Sequence, residues 1–354
     1  MKLILISICL IILKTATSQN DPKWDDTKSS DWPSQCKKVE IISSVDKTIQ
    51  PAYFFKASSE SPRPLIISLH TWSGDYKQKD TLSWMCIEND YNYIHPNFRG
   101  SNNTKEACGS PLVIADINDA IDYAVKNGNV DTGEMHIIGA SGGGYATLLS
   151  YMKVRHQIKT FSAWVPISNL VDWYYESVGR RQKYARDIAQ ATTGKKFKGN
   201  NYYFDEEEAR KRSPFFMTTP VEQRKNSKLY IHTGIHDGYQ GSVPVTQSLK
   251  FYNKVVSDFD PKAKESLISV EKMLKLVERR NTDILNPTLT NHGDILFSKQ
   301  YLDKIHVNVF EGSHEMIPEK ALEPVKAKKN TCRRRLKRCF GRGMGEPAQT
   351  NAFQ

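Results

Sequence analysis

The sequence lacks any stretch of about 18 consecutive apolar residues, the length that a helix needs to cross a bilayer. The nearest approach is residues 3–13, a largely apolar run that follows Lys2 and precedes the small residues 16–18. This layout is typical of a cleavable secretory signal. We therefore expect residues 1–18 to be removed and the mature protein to be secreted, to the extracellular space or the periplasm. A single membrane anchor is the alternative.

The body of the chain has no charge surplus of the size that nucleic-acid binding requires. The full sequence carries a formal net charge of +11, of which residues 1–18 hold +2 and residues 325–354 hold +8. Subtraction leaves residues 19–324 at +1, too little to neutralise a phosphate backbone. We expect no nucleic-acid partner for this body.

The basic tail, residues 325–354, has nine bases, one acid and few apolar residues. Such a segment cannot bury a core and is expected to be disordered. The alternative is an electrostatic tether to an anionic surface such as glycans, lipid headgroups or nucleic acid.

Cysteine is scarce, with six in 354 residues. Cys36, Cys86 and Cys108 lie in the body, where three thiols cannot all pair, so no disulfide framework is predicted. The two tail cysteines are too few to indicate a metal site, and we expect no metal or other cofactor. The sequence also lacks an internal repeat, which argues against a β-propeller in this chain.

Strand and helix patterns alternate through residues 19–324, which are expected to form one large domain. Antiparallel edge strands are predicted within residues 39–56, and helices such as residues 113–126 separate the later strands. This alternation predicts an α/β fold with a mostly parallel central sheet flanked by helices. The predicted buried strands are residues 65–69, 91–95, 135–138, 160–165, 229–232 and 306–310.

Two segments break the alternation and are predicted to be insertions. Residues 169–223 are rich in aromatic side chains and are expected to form a cap over a pocket or a packed peripheral subdomain. Residues 258–301 form the second insertion, in which residues 270–280 have the apolar spacing of a helix.

The segment Gly139-Ala140-Ser141-Gly142-Gly143 matches G-x-S-x-G between a predicted strand and a predicted helix. A sharp turn in that context exposes the serine oxygen, and small neighbours let the strand and the helix approach each other. We therefore predict Ser141 to be a nucleophile. The alternative is a glycine-rich connection without chemistry.

A serine nucleophile needs a histidine base and an acid that orients the histidine. Asp237 follows the predicted strand 229–232, and His314 follows the last predicted strand. The chain order Ser141, Asp237, His314 is the order found in α/β-hydrolases, so these residues are predicted to be catalytic.

Other residues compete for the roles of base and acid. His236 neighbours the predicted acid, and His292 lies in a polar turn of the second insertion. Asp172 follows the predicted strand 160–165 and is the rival acid.

Acyl transfer places negative charge on the former carbonyl oxygen, so two backbone amides must point at it. We predict the amide of Gly142 for one and that of Trp72, in the loop after strand 65–69, for the other. Trp72 and Tyr145 are also expected to line the substrate pocket. His70 is expected to shape the loop rather than act as a second base.

Further motifs surround these residues and together carry a family resemblance. They are residues 96–101, the helix with Asp116, Asp119 and Tyr123, Val130-Asp131, residues 139–145, Ser213-Pro214, and Asp237 followed by Val243-Pro244 and Gln247-Ser248. Residues 60–320 resemble the catalytic domain of the prolyl oligopeptidase family of serine hydrolases. The resemblance implies the α/β-hydrolase fold, with Ser141, Asp237 and His314 as nucleophile, acid and base.

Three departures from the family pattern bear on the substrate. Gly142 stands where family members often have tyrosine, the residues before the fold leave no room for a propeller, and no paired glutamates are identified. The segment after the last predicted strand, residues 311–316, is similar to the corresponding segment of secreted esterases that remove acetyl or feruloyl groups from polysaccharides. We expect a peptide or ester bond to be cleaved, the alternatives being a carbohydrate esterase acting on acylated carbohydrate, or a non-catalytic binding protein on this scaffold.

Overall fold

The computed structural model describes residues 30–199, 201–279 and 290–326. The predicted signal segment 1–18 lies outside these ranges, as does nearly all of the basic tail. Within the described residues, a central sheet has nine strands. They are Lys37–Ile42 (β1), Ile49–Phe55 (β2), Arg63–Leu69 (β3), Asn92–Pro96 (β4), Val130–Ala140 (β5), Thr160–Trp164 (β6), Lys228–Gly234 (β7), Ile295–Tyr301 (β8) and Ile305–Phe310 (β9).

Helices connect these strands, and in the described ranges none is long and apolar enough to cross a membrane. They are Thr81–Glu88 (α1), Pro111–Asn127 (α2), Gly142–Lys153 (α3), Leu170–Gly179 (α4), Tyr184–Thr193 (α5), Glu206–Arg212 (α6), Val221–Arg224 (α7), Val245–Phe259 (α8), Val270–Arg279 (α9), Pro318–Ala321 (α10) and Glu323–Lys326 (α11).

The sheet is mixed but mostly parallel, in the order β1-β2-β4-β3-β5-β6-β7-β9-β8. The six central strands, β4, β3, β5, β6, β7 and β9, are parallel to their neighbours among these six. The pairs β1–β2 and β2–β4 at one edge, and β8–β9 at the other, are antiparallel. The predicted α/β-hydrolase fold class is therefore confirmed. Parallel strands all point their carboxyl ends to the same edge, and the loops at that edge can converge on one site.

Side chains alternate between two buried layers along the central strands. In β3, Leu65 and Ile67 pack into an apolar cluster with α2, α3 and α8, whereas Ile66 packs into a second cluster with α1 and α10. Strands that are buried on both faces read as continuous apolar runs, which is why β3 and its neighbours were predictable. The sheet is thus the middle layer between two layers of helices.

The second predicted insertion, residues 258–301, is wrong in its last part. Residues Ile295–Tyr301 form β8, an edge strand that pairs with β9 along its length. Its side chains are half-buried or exposed throughout, so the strand has no apolar run of the kind that marks a buried strand. The predicted helix in this segment is present as α9, Val270–Arg279.

The first predicted insertion, residues 169–223, contains helices α4 to α6 and all but the last residue of α7. Side chains of α4 and α5 form a third apolar cluster, which also includes Trp72 and Tyr145 of the main domain. The insertion therefore packs against the loop that follows β3. The three body cysteines are buried and free.

Candidate active site

Ser141 occupies a sharp turn between β5 and α3. Its backbone has φ 56° and ψ −118°, a conformation that is uncommon for a residue with a side chain. The turn is held because the Ser141 amide donates to the Trp164 carbonyl at 2.9 Å, and the Tyr145 amide donates to the Ser141 carbonyl at 2.9 Å. Such strain persists only where the surroundings fix it, and it aims the hydroxyl away from the sheet.

The structure brings Ser141, His314 and Asp237 into one chain of hydrogen bonds. His314 Nε2 lies 2.8 Å from Ser141 Oγ, and His314 Nδ1 lies 2.8 Å from Asp237 Oδ2. A carboxylate only accepts, so Nδ1 carries the imidazole hydrogen and Nε2 accepts from the serine hydroxyl. This arrangement can take a proton from Ser141 and stabilise the resulting imidazolium.

The Asp237 carboxylate is fixed on both of its oxygens. Oδ1 accepts from the amides of Gly238 at 2.9 Å and Val243 at 3.0 Å, which leaves Oδ2 for His314. The carboxylate is fully buried, while the His314 side chain keeps 15% of its surface exposed. The acid is therefore held in place, and the imidazole remains at the surface where a substrate binds.

The two amides predicted to stabilise an oxyanion are neighbours beside Ser141. Gly142 begins α3, where backbone N–H groups have no partner within the helix. A Cβ on Gly142 would lie 2.8 Å from the Thr71 carbonyl carbon and closer still to the amide nitrogen of Trp72. Glycine at this position thus lets the Trp72 backbone approach the start of the helix.

The loop that carries Trp72 is supported from beneath by His70. The imidazole is fully buried and stacks on Phe98 with ring centroids 3.8 Å apart. Its nitrogens lie 3.0 Å from the Thr71 carbonyl oxygen and 2.7 Å from that of Asn97. Burial lowers the pKa of His70 to about 4, so the ring is neutral near pH 7 and donates to one of these carbonyls.

The indole of Trp72 is enclosed by the first insertion. It packs edge-on against Trp173 with ring centroids 4.7 Å apart and edge-on against Tyr184 at 6.3 Å. Its Nε1 donates to Asp187 Oδ2 at 3.2 Å, and burial raises the pKa of that carboxyl. Helices α4 and α5 therefore fix both the ring and the loop of Trp72.

Tyr145 lies behind this cluster rather than at an open surface. Its side chain is fully buried, and its hydroxyl donates to the Arg212 carbonyl at 2.8 Å. Its ring centroid is 6.0 Å from that of Trp72, which is itself only 2% exposed. Both rings support the site from within, and their predicted contact with substrate remains a prediction.

The rival residues are placed elsewhere. Asp172 lies 3.2 Å from Lys250 at the surface. His236 lies 2.8 Å from Glu311 Oε1, and His292 lies 3.0 Å from Glu315 Oε1. In the described ranges, no group of three or more His, Cys, Asp or Glu side chains could hold a metal ion.

Sequence reasoning missed two residues, Trp173 in α4 and Arg180 directly after it, that hold the loop starting at Asp237, here called the acid loop. Trp173 Nε1 donates to the Ser242 carbonyl at 2.8 Å, and an Arg180 nitrogen donates to the Gly241 carbonyl at 2.6 Å. Both carbonyls belong to the loop that starts at Asp237. The aromatic run at residues 173–175 marks this region in the sequence, but it does not show which backbone atoms the side chains reach.

Solved structures share this fold at low sequence identity. The chain aligns with Pyrococcus horikoshii acylaminoacyl peptidase at a TM-score of 0.53 and 18% identity, over 88% of this chain and 43% of that one. An acylaminoacyl peptidase in complex with Z-Gly-Gly-Phe-chloromethyl ketone gives 0.52 and 17%, over 86% and 40%. Oligopeptidase B from Leishmania major gives 0.50 and 12%, over 81% and 34%. The chain therefore spans less than half of each of these proteins, and the likeness shows the fold.

A comparison with family profiles goes further than fold. No curated protein sequence matches the chain. Residues 77–270, more than half of the 354 residues, match the profile of the prolyl oligopeptidase family. This match confirms the resemblance that the motifs around Ser141 and Asp237 indicated. The chain belongs to the prolyl oligopeptidase family of serine hydrolases.

Proposed function

We propose that this protein is a serine peptidase that cleaves peptide bonds through an acyl-enzyme on Ser141. The observation that carries the proposal is the continuous hydrogen bonding from Ser141 through His314 to Asp237, with both distances at 2.8 Å. Membership of the prolyl oligopeptidase family supports a peptide substrate. The acylaminoacyl peptidase and oligopeptidase names of the similar structures are consistent with the same substrate class.

In the proposed first step, His314 Nε2 takes the hydroxyl proton as Ser141 Oγ attacks the carbonyl carbon of the substrate. The C–N bond then breaks, and the imidazolium returns the proton to the leaving amine. Water attacks the ester in the second step, again losing its proton to His314, and the acid product leaves as Ser141 regains its hydrogen.

The proposed oxyanion site consists of the Gly142 and Trp72 amides. Their proximity is set by the absence of a side chain at residue 142. Backbone donors of this kind are held in place before the reaction, so they stabilise charge on the tetrahedral intermediate without reorganising. Asp237 is proposed to orient His314 and to stabilise its cation, since its other oxygen is already occupied by two backbone amides.

A carbohydrate esterase is the second candidate, and one observation favours it. Tyr239 lies two residues after Asp237 and is 66% exposed. The acid loop therefore presents an aromatic ring with a polar hydroxyl to a substrate. With an acylated carbohydrate as substrate, the leaving group would be an alcohol of the sugar rather than an amine. The same three residues would carry out that reaction.

The experiment combines active-site labelling with turnover. A fluorophosphonate probe is applied to wild type, to Ser141→Ala and to Ser61→Ala, an exposed serine outside the site. We expect labelling of the wild type and of Ser61→Ala, and none of Ser141→Ala. Failure of a folded wild type to label would overturn the proposal and favour a non-catalytic binding protein.

Turnover then separates the two candidates. We expect cleavage of Ala-Pro and Gly-Pro p-nitroanilides as well as p-nitrophenyl acetate. Cleavage of the ester alone, together with release of acetate or ferulate from acylated polysaccharide, would replace the peptidase by the carbohydrate esterase.

Secretion is also proposed, on the layout of residues 1–18 alone. Amino-terminal sequencing of protein recovered from the culture medium is expected to begin near residue 19. The proposed contact of the basic tail with anionic surfaces is tested by comparing heparin retention of the full chain with that of a chain ending at residue 326.

A further inference from the structure

A cavity of about 440 Å³ lies between the end of α4 and the start of α5. Its charged lining consists of Arg181, Lys183 and Arg186, and no acidic side chain lines it. Its volume is within the range of about 300–1,000 Å³ that is usual for small-ligand sites. We call it the basic cavity.

The cations of the basic cavity form no ion pair with a carboxylate in the described residues, although Asp187 interacts electrostatically with Lys183 and Arg186. Within the described part of the chain, no carboxylate lies within ion-pair distance of Arg181, Lys183 or Arg186, although the adjacent Arg180 pairs with Glu176 at 3.0 Å. The acid on the same helix is Asp187, which is buried and accepts from the Trp72 indole at 3.2 Å. Three positive charges therefore face the cavity with one buried negative charge behind them.

The backbone adds to this positive potential. Helix α5 begins beside the cavity, and its N-cap residue Lys183 makes no side-chain capping hydrogen bond. The first N–H groups of a helix and its dipole both favour an anion at that end. Arg181 has a φ of 55°, an uncommon conformation for a residue with a side chain that is found where neighbouring structure imposes it.

The basic cavity adjoins the loop after β3. This loop carries Trp72, whose amide is proposed for the oxyanion site, and we call it the oxyanion loop. Lys183 Nζ donates to Ser73 Oγ at 2.6 Å, and Ser73 directly follows Trp72. Tyr184, the next residue after Lys183, packs edge-on against the Trp72 indole. Two contacts, Lys183 with Ser73 and Tyr184 with Trp72, therefore connect the basic cavity to the loop beside Ser141.

We propose that the basic cavity binds a carboxylate of the peptide substrate, so that the enzyme prefers acidic peptides. The inference rests on the proposed function and deepens it, because it names the chemical class of substrate. Arginine suits this role, since its planar guanidinium pairs with a carboxylate through two parallel hydrogen bonds. The carboxylate could belong to an acidic side chain or to the peptide's own carboxyl terminus.

The test measures binding to the Ser141→Ala chain, which cannot cut its ligand. An N-acetylated pentaalanine peptide carries Glu at each position in turn, with Gln at the same position as the neutral match. Every peptide is made with a free and with an amidated carboxyl terminus, and Kd is measured by calorimetry. A charge-assisted hydrogen bond predicts about tenfold tighter binding of the peptide whose carboxylate reaches the cavity.

The test variant is the double substitution Arg181→Gln with Arg186→Gln. The control is Arg155→Gln, at an exposed arginine that pairs with Asp122 elsewhere on the surface. Lys183 is left unchanged because it contacts the oxyanion loop. We expect the double variant to lose the preference and Arg155→Gln to keep it. A preference that follows Glu identifies an acidic side chain, and one that follows the free terminus identifies the terminal carboxylate.

Equal Kd values for all peptides, or a preference that survives in the double variant, would overturn the inference. Both results are independent of turnover, since they come from the uncut ligand. Fluorophosphonate labelling of wild type reports separately on the proposed function. A labelled enzyme with equal affinities would therefore remove the carboxylate site and leave the serine hydrolase in place.

Discussion

The amide nitrogen of Trp72 lies against the α-carbon side of Gly142, where a Cβ would overlap it. This relationship links the first residue of α3 to the loop after β3, the two segments that supply the proposed oxyanion amides. It also explains a departure from the family pattern. The tyrosine that family members often carry after the nucleophile has no space here unless the Trp72 loop moves.

Substitution Gly142→Ala should therefore reduce activity more than it reduces stability. The new methyl group displaces the Trp72 amide, and loss of one oxyanion donor costs about 10²–10³-fold in kcat. Overpacking of this kind costs about 1–3 kcal/mol of stability. The measurement is kcat on the best ester or anilide substrate, together with the urea midpoint.

The control is Gly179→Ala, at the end of α4, where an added Cβ meets nothing within 4 Å. We expect its kcat to equal that of wild type. Unchanged kcat in Gly142→Ala would contradict the assignment of these two amides to the oxyanion.

Substitution Asp237→Asn should lower kcat by about 10⁴-fold, because the amide no longer holds the Nδ1–H tautomer of His314. The fold should be retained, since the amide oxygen can still accept from the Gly238 and Val243 amides. Asp172→Asn, the rival acid, is the matched control and should stay within about twofold of wild type because exposed ion pairs contribute little. The reverse ranking of the two variants would move the role of acid to Asp172.

Substitution Trp173→Phe should weaken the support of the acid loop. The ring still fills the apolar cluster, but the 2.8 Å hydrogen bond to the Ser242 carbonyl is lost. This hydrogen bond is partly buried, so its loss should cost at most the roughly 1–3 kcal/mol of a buried group left without its partner. We expect a lower kcat, whereas a purely structural role would lower the melting temperature and leave kcat unchanged.

The sequence was sufficient for the central strands and for the turn at Ser141, because both are local patterns. Continuous apolar runs mark strands such as β3 that are buried on both faces. The positions of Asp237 and His314 followed from chain order, since parallel strands end at the same edge of the sheet. Edge strand β8 was missed because its side chains lie half in water and form no apolar run.

Contacts between distant segments were beyond the sequence for a different reason. Trp173 donates to the Ser242 carbonyl, 69 residues away in the chain. Lys183 donates to Ser73, 110 residues away. Such pairs depend on how the insertion packs onto the β3 loop, and the local pattern of either segment is the same with or without the contact. The sequence shows that residue 142 is glycine where the family often has tyrosine. Only the structure shows that the Trp72 backbone occupies the space of a side chain there.

Acid should destabilise the fold through His232, which is half-buried in β7 and stacks on Trp164 with ring centroids 4.0 Å apart. Burial lowers its pKa to about 3, with smaller contributions from His306 and Lys320. Between the ordinary histidine pKa near 6.5 and this value, the unfolded chain binds the proton and the folded chain does not. The free energy of unfolding therefore falls as the pH is lowered through that window.

Substitution His232→Phe removes this titration while keeping an aromatic ring on Trp164. From pH 7 to pH 5, wild type should lose about 2 kcal/mol more stability than the variant, at 1.36 kcal/mol for each pH unit below 6.5. Urea unfolding at several pH values measures the two curves. Parallel curves for wild type and His232→Phe would show that His232 binds its proton equally in the folded and the unfolded chain, which would contradict the lowered pKa.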